Sequence, residues 1–471
     1  MVRLFCAIAI VAVSPYAVTP RSAMARSGRA RTLPPPLTVM CRPASTSWAT
    51  PGLANSNRPN PRVGSIFTRF IDSLAFGVLS LFFVIILVLL TTAYGYPAWR
   101  LQSALDPMPW IAWLWTAATV IAALLPIAVL AILRRADTPA RWHRPVAWIT
   151  YLCLGGTIIL FDVVLLRDLC LGAFWLLERL ITVDLALGQR TQLLTLTAGL
   201  CPIVAFVIAA VGVHLARRRP PIHEVTIDVA DLPPDLEGLR IAHISDLHVG
   251  ATIRRPFVDA IVDAVQGLRP DLIAFTGDLA DGTVIDLASE VAPFARLSAP
   301  MGVWCCTGNH EYYSDPQAWM EKIDDLGMHR LSNSHEVIRR GDACLVVGGL
   351  PDPTGAEIFP NDPRHTPNPN AVFNGAPEEG VRLLLAHQPA AAVSAAQTKA
   401  ALTLSGHTHG GQIFPWHLLV PLQQPIVAGL RRRAGGDGWI YVTSGAGYWG
   451  PPMRFGASSE IACLTLRRAL S

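Results

Sequence analysis

A chain of 471 residues, 51% of them hydrophobic and only 15% charged, is too long for one average domain and too apolar for a wholly soluble enzyme, in which about a quarter of residues carry charge. A formal net charge of +4 excludes the clustered basic footprint of a nucleic-acid-binding protein, so no nucleic-acid partner is expected. The nine cysteines, at 6, 41, 153, 170, 201, 305, 306, 344 and 463, contain no CxxC pair, which speaks against both a disulfide framework and a zinc knuckle.

Residues 1–70 lack Asp and Glu, are dotted with Arg and carry stretches such as LPPPL and ANSNRPNPR, the composition of a disordered or targeting segment. The opening 25 residues have a basic start, an apolar stretch and an Ala-x-Ala ending. They admit either a cleaved signal or a gene start placed too far upstream. Four apolar runs follow, Ile71 to Tyr94, Trp110 to Leu133, Val146 to Leu166 and Leu193 to Leu215, each near the ~20 residues that a spanning helix needs. We therefore expect four transmembrane helices within 71–219. Basic segments lie between the second and third runs (RRADTPARWHR) and after the fourth (Arg217 to Arg219). An even helix count puts both on one side, and the positive-inside rule makes that side cytoplasmic. The expected location is a multi-pass protein of the bacterial inner membrane with a cytoplasmic catalytic domain. Asp162, near Arg167 and Asp168, reads as part of an interfacial anchor, and Leu171 to Leu187 as an interfacial or re-entrant helix.

At Pro220 and Pro221 the composition changes to that of a soluble α/β domain, 220–471, in which short apolar strands alternate with helical stretches such as FVDAIVDAVQGL. Five strand-like runs end abruptly in residues able to bind a cation. LRIAHIS delivers Asp246 and His248; LIAFT delivers Gly277 and Asp278; GVWCCT delivers Gly308, Asn309, His310 and Glu311; VRLLLA delivers His387; ALTLS delivers Gly406, His407 and His409. Carboxyl ends of neighbouring strands converge on one crevice in open α/β sheets, so these donors share a mouth. The glycines before Asp278, Asn309 and His407 fit tight turns whose backbone conformations side chains disfavour. Each motif alone is a weak signal. Five in series, each at the end of an apolar run, are a strong one, because a core does not gather four His and two Asp without partners. Cys305 and Cys306, in the strand before one motif, read as packing residues.

The series DLH, GDLA, GNHE, H and GHTH resembles the calcineurin-like metallophosphoesterase superfamily over about half the chain, Asp246 to His409. The phrases HISDLHVG, GHTHGGQ and SGAGYWGPPMR resemble its membrane-linked bacterial phosphoesterase branch. The resemblance implies a layered αββα sandwich that hydrolyses a phosphoester; a phosphodiester is the expectation, and the sequence leaves a monoester open. The resemblance also implies two divalent metal ions, with Mn, Fe, Zn and Ni all compatible with the donors. Asp246, His248 and His409 would hold the first ion, Asn309, His387 and His407 the second, and Asp278 both. Such a pair shares a water, lowers its pKa and presents a bridging hydroxide in line with the phosphorus. His310 would be the catalytic proton donor, with Glu311 placed to orient it; Glu311 and Asp281 read equally well as helix-cap or turn carboxylates. The apolar segment 413–433, closed by Arg431, Arg432 and Arg433, suits a lipid-linked substrate at the bilayer surface, with a core-forming cover of the second sheet as its alternative. A membrane sensor or scaffold retaining the metal site without turnover is the competing function, and an intact His310 argues against it.

Overall fold

The long apolar runs form helices that carry prolines inside them, at Pro126, Pro145 and Pro202, and the structure, a computed structural model, describes residues 88, 91–102, 109–133, 140–181, 185–433 and 438–469. All of them belong to one compact unit. After a helical segment at 91–102 come α1 (Pro109–Leu133), α2 (Ala140–Leu180) and α3 (Leu187–Arg217). Among the described residues two helices, α2 and α3, are long and apolar enough to cross a membrane, and α1 is apolar over the shorter stretch Trp113–Leu125. Most of the first expected span, Ile71 to Tyr94, lies outside the described residues.

The segment Leu171 to Leu187 is not the separate interfacial or re-entrant helix expected from its charges. Instead α2 runs unbroken to Leu180. Of the charges that suggested a break, Glu178 is paired sideways, as are Arg167 and Asp168 just before the segment. Asp168 accepts from Tyr96 Oη (2.6 Å), Arg100 Nε (2.6 Å) and Arg167 Nη1 (2.8 Å); Arg167 also donates to Thr197 Oγ1 and the Leu194 carbonyl of α3, both at 3.0 Å; Glu178 meets Arg190 at 3.1 Å. Asp162 takes no part, and its Oδ2 has no partner among the described residues. At ~1.5 Å per residue α2 is about 60 Å long, twice the ~30 Å of a bilayer core.

The prolines after Arg219 cannot continue α3, and within a few residues the chain enters β1 (Ile222–Val229). Two six-stranded sheets follow. The first has the order β1, β12 (Ile461–Arg468), β2 (Arg240–Ile244), β3 (Leu272–Phe275), β4 (Val303–Cys305) and β5 (His329–Arg330), with β2 to β5 parallel. In the second the order is β10 (Gly429–Arg432), β11 (Trp439–Val442), β9 (Leu402–Ser405), β8 (Val381–Leu385), β7 (Ala343–Gly349) and β6 (Ser334–Arg340). The period-two alternation of strands sorts side chains into three cores. Ile241, Leu272, Leu345, Leu383, Leu404 and Tyr441 meet between the sheets. Ala242, Ile244, Ile273 and Phe275 face α4 (Arg255–Gly267), α5 (Val284–Val291) and α6 (Pro316–Asp325). Val346, Leu384 and Ile440 face Ala392 of α7 (Pro389–Ser394). The layers are therefore αββα, as expected. Cys305 and Cys306, both buried, point into two different cores, so packing is their role.

Candidate metal centre

β2, β3, β4, β8 and β9 end along one edge of the sandwich, and the loops that leave them hold each other. The Asp246 and Leu247 amides donate to the carbonyls of Gly277 (3.0 Å) and Asp278 (2.9 Å). The His407 amide donates to Asp246 Oδ1 at 2.9 Å, and the His310 amide to Asp278 Oδ1 at 2.9 Å. Asp246, His248, Asp278, His407 and His409 all adopt positive φ, between 51° and 73°. Such backbone costs about 1–3 kcal/mol per residue and persists where the surroundings over-determine it, commonly at ligand clamps. Of the three glycines expected to supply unusual backbone only Gly277 does so, at φ 92°. Gly308 and Gly406 are required by proximity, since a Cβ on either would collide with Asp278 or with Asp246 and Ser245.

The seven expected ligands and His310 come together in one place, all buried except the half-buried His407. His248 Nε2 lies 3.0 Å from His409 Nε2, which is 3.6 Å from Asp246 Oδ1. His387 Nε2 lies 3.2 Å from each of Asn309 Oδ1, His407 Nδ1 and Asp278 Oδ2. The same Asp278 oxygen is 3.7 Å from His248 Nε2, so it stands between the two groups. Ligands held at ~2.1 Å around one ion lie about 3.0–3.4 Å from each other, close to these separations. Nitrogen lone pairs aimed at one another without a shared proton are otherwise unfavourable. Two groups, Asp246 with His248 and His409, and Asp278 with His387 and His407, could each hold a metal ion.

Second partners orient the imidazoles. His387 Nδ1 donates to the Thr276 carbonyl at 2.6 Å, which turns Nε2 toward the centre. His248 Nδ1 and His310 Nδ1 both reach Asp281 Oδ1, at 2.8 and 2.7 Å. Asp281 is thus the carboxylate that orients His310. Glu311, expected in that role, accepts backbone N–H from Asp278 (3.0 Å), Leu279 (2.7 Å) and Gly308 (2.6 Å), tying two ligand loops together. Arg454 is the other residue whose role the sequence reading missed. Its guanidinium, fully buried, donates to the carbonyls of His409 (3.1 Å), Ser444 (2.7 Å) and Gly447 (2.7 Å). The available signal was that it is the lone charge in an apolar, Gly-rich stretch, where a charge has to be paired.

In the metal-free protein burial raises the Asp246 pKa. Burial presses Asp278 the same way, but His387, His310 and His248 outweigh it and hold that carboxylate well below its usual range. Burial, then the neighbouring His387, depresses His407 to about 3, a neutral imidazole fit for ligation. His310 and His387 go the other way: burial disfavours their charge, yet Asp281 and Asp278 push His310 up to about 9, and Asp278 with Asp246 and Asp352 pushes His387 well above its ordinary value. A cationic imidazole beside the ligand set can donate a proton.

An αββα sandwich whose strand ends gather His and Asp groups able to hold metal ions defines a metal-dependent phosphoesterase. Residues 239–411 match the family model of the calcineurin-like phosphoesterases. The chain is 34% identical over 340 residues to the "Transmembrane protein with metallophosphoesterase domain" of Danio rerio, covering 71% of this chain and 76% of the relative. Its Bos taurus namesake is 34% identical over 330 residues, covering 68% and 74%. A metallophosphoesterase of Helicobacter pylori is 35% identical over 257 residues, covering 54% and 66%. The chain belongs to the calcineurin-like metallophosphoesterase family.

Proposed function

We propose that this protein is a membrane-anchored phosphodiesterase with a binuclear centre, anchored by four helices within 71–219 in the bacterial inner membrane, with its catalytic domain, 220–471, in the cytoplasm. One observation carries the reading: six buried or half-buried imidazole and carboxylate ligands and Asn309 converge from five strand ends on two adjoining points. Asp246, His248 and His409 hold one divalent ion, Asn309, His387 and His407 the other, and Asp278 both; Mn, Fe, Zn or Ni suits the donors. When bound, such a pair supplies Lewis acidity and an ionised water at neutral pH. The chain's residues do the rest. Asp278 and the ring nitrogens set the spacing of the cation sites, and His310, held by Asp281, gives its proton to the leaving oxygen. Tyr313 and Trp449 flank His310 with ring centroids 5.1 and 6.2 Å away, walls suited to an organic leaving group.

A diester is favoured over a monoester by charge. Among the described residues the guanidinium in contact with the ligand set, that of Arg454, is committed to backbone carbonyls, and the cationic imidazole beside that set, His310, is already paired with Asp281, so neither adds a free charge for a dianion. Membrane anchoring is supported by α2 and α3 and by the two vertebrate relatives, whose likeness extends beyond the length of 220–471 into the helices. A lipid-linked substrate fits the segment after the last ligand, where Phe414, Leu418, Leu419 and Leu422 are exposed beside Arg431 and Arg432. Arg433 does not join that rim; it is buried and donates to Thr403 Oγ1 at 3.0 Å.

The test is turnover of bis(p-nitrophenyl) phosphate by the full-length protein in detergent with Mn²⁺. We expect activity that a chelator removes and that Asp278→Asn lowers by at least about a hundredfold. No metal-dependent turnover of any phosphoester would leave the sensor or scaffold reading in its place.

A further inference from the structure

Between α2 and α3 lies an apolar groove of about 350 Å³, bordered by Leu152, Gly156 and Leu160 on one side, Phe206 and Val213 on the other, and Met453 at its end. That volume is within the ~300–1,000 Å³ of small-molecule sites. We propose that the groove takes the hydrocarbon chain of an amphiphilic phosphodiester whose phosphate lies at the cation centre, an inference that rests on the phosphodiesterase reading above.

The argument begins with what the groove can hold. Its walls are apolar and offer no side-chain donor or acceptor, so a peptide or sugar would lose its hydrogen bonds there. It opens beside Leu152 and Phe206, both exposed, on helices long and apolar enough to cross a bilayer. A hydrocarbon chain is the occupant that such a surface stabilises, at about 0.8 kcal/mol per CH₂ buried. Met453, with its adaptable thioether, suits a chain of variable shape.

The groove is joined to the chemistry by one strap, residues 444–455. The Gly447 amide donates to the Asp246 carbonyl at 2.9 Å. Trp449 stands beside His310. Met453 closes the groove, and its neighbour Arg454 grips His409 through the guanidinium and α3 through its amide, which donates to the Gly212 carbonyl at 2.9 Å. At most about 14 Å of backbone separates Trp449 from Met453. The strap is seated on the helices without slack: a Cβ at Gly155 would run into Met453 and Pro451. Ile413, directly after the last ligand loop, packs with Met453, Ile159 and Ala205, and the exposed Phe414, Leu418 and Leu422 extend this apolar surface. A tail between the helices and a phosphate at the ions are thus two ends of one amphiphile.

Two p-nitrophenyl esters that differ only in their second substituent test this: p-nitrophenyl ethyl phosphate and p-nitrophenyl hexadecyl phosphate, assayed on the full-length protein in detergent micelles with Mn²⁺. A Cβ at Gly156 meets nothing within 4 Å, so Gly156→Leu enters the groove without a clash at its Cβ and takes up groove volume with the rest of its side chain. We expect wild type to favour the hexadecyl ester in kcat/KM by at least about tenfold, and Gly156→Leu to bring the two esters within about twofold of each other. Micelle partitioning weights the hexadecyl ester equally for both proteins, and a change at the cation centre weights both esters equally, so the change of the ratio from wild type to Gly156→Leu is free of both. An unchanged ratio in Gly156→Leu, or no preference in wild type, overturns the groove assignment and leaves the phosphodiesterase standing. No metal-dependent hydrolysis of the ethyl ester by wild type overturns the phosphodiesterase reading, and the groove assignment with it.

Discussion

Asp281 serves two imidazoles with one oxygen, fixing the rings of His248, the proposed ligand, and of His310, the proposed proton donor. Its carboxylate is the largest influence raising the His310 pKa. Asp281→Asn keeps the shape and removes the charge, so His310 loses its proton at lower pH. We expect kcat to fall about ten- to hundredfold and the alkaline limb of the pH–rate profile to move to lower pH, because the protonated imidazole is the species needed. A profile unmoved in position, measured at saturating Mn²⁺, would show that Asp281 does not govern the donor. The sequence made the ligands legible and this residue not. Ligand identity is written in motif residue types at strand ends, whereas the direction a loop carboxylate faces depends on a turn whose geometry Asp278-x-x-Asp281 does not specify. The same limit misled the reading of Glu311, which sits beside His310 in the chain but spends its oxygens on three amides behind it.

Among the elements, the strands were the easiest to read, since each is a short apolar run that stops at a ligand. The helices were harder, because Arg167, Asp168 and Glu178 look like interruptions until Arg100, Thr197 and Arg190 are placed beside them. What aligns the strand ends is Glu311, which joins the loops leaving β3 and β4. Glu311→Gln turns one acceptor oxygen into a donor facing an amide, leaving at least one buried N–H unsatisfied at about 1–3 kcal/mol. We expect a lower thermal midpoint and a loss of bound metal by elemental analysis, both together, since the same loops carry Asp278 and Asn309. Full metal occupancy at a lowered midpoint would show that the loops hold their register without the carboxylate.

Over the whole molecule, the composition shift near Pro220 invites a picture of an anchor and an independent enzyme, and here the sequence reading is least complete. Contacts between small residues far apart in the chain leave no periodic trace. Ala216 of α3 lies in the same core as Ala242 and Ile244, Arg217 donates to the Thr252 carbonyl at 2.7 Å, and Gly155 and Gly212 receive the strap that holds His409 in place. A protein beginning at residue 220 would expose Ile413, Met453 and Tyr448 and lose the hydrogen bond that fixes Arg454 to α3. Since ligand positions are sensitive to shifts of about 1 Å, we expect this shortened protein to self-associate without detergent in size-exclusion chromatography. We also expect it to turn over a soluble aryl diester at least about tenfold more slowly than the full-length chain at equal metal. A monodisperse fragment of undiminished activity would instead make the helices a tether and nothing more, because a strap able to hold His409 with neither glycine beneath it needs no membrane helix to shape the site.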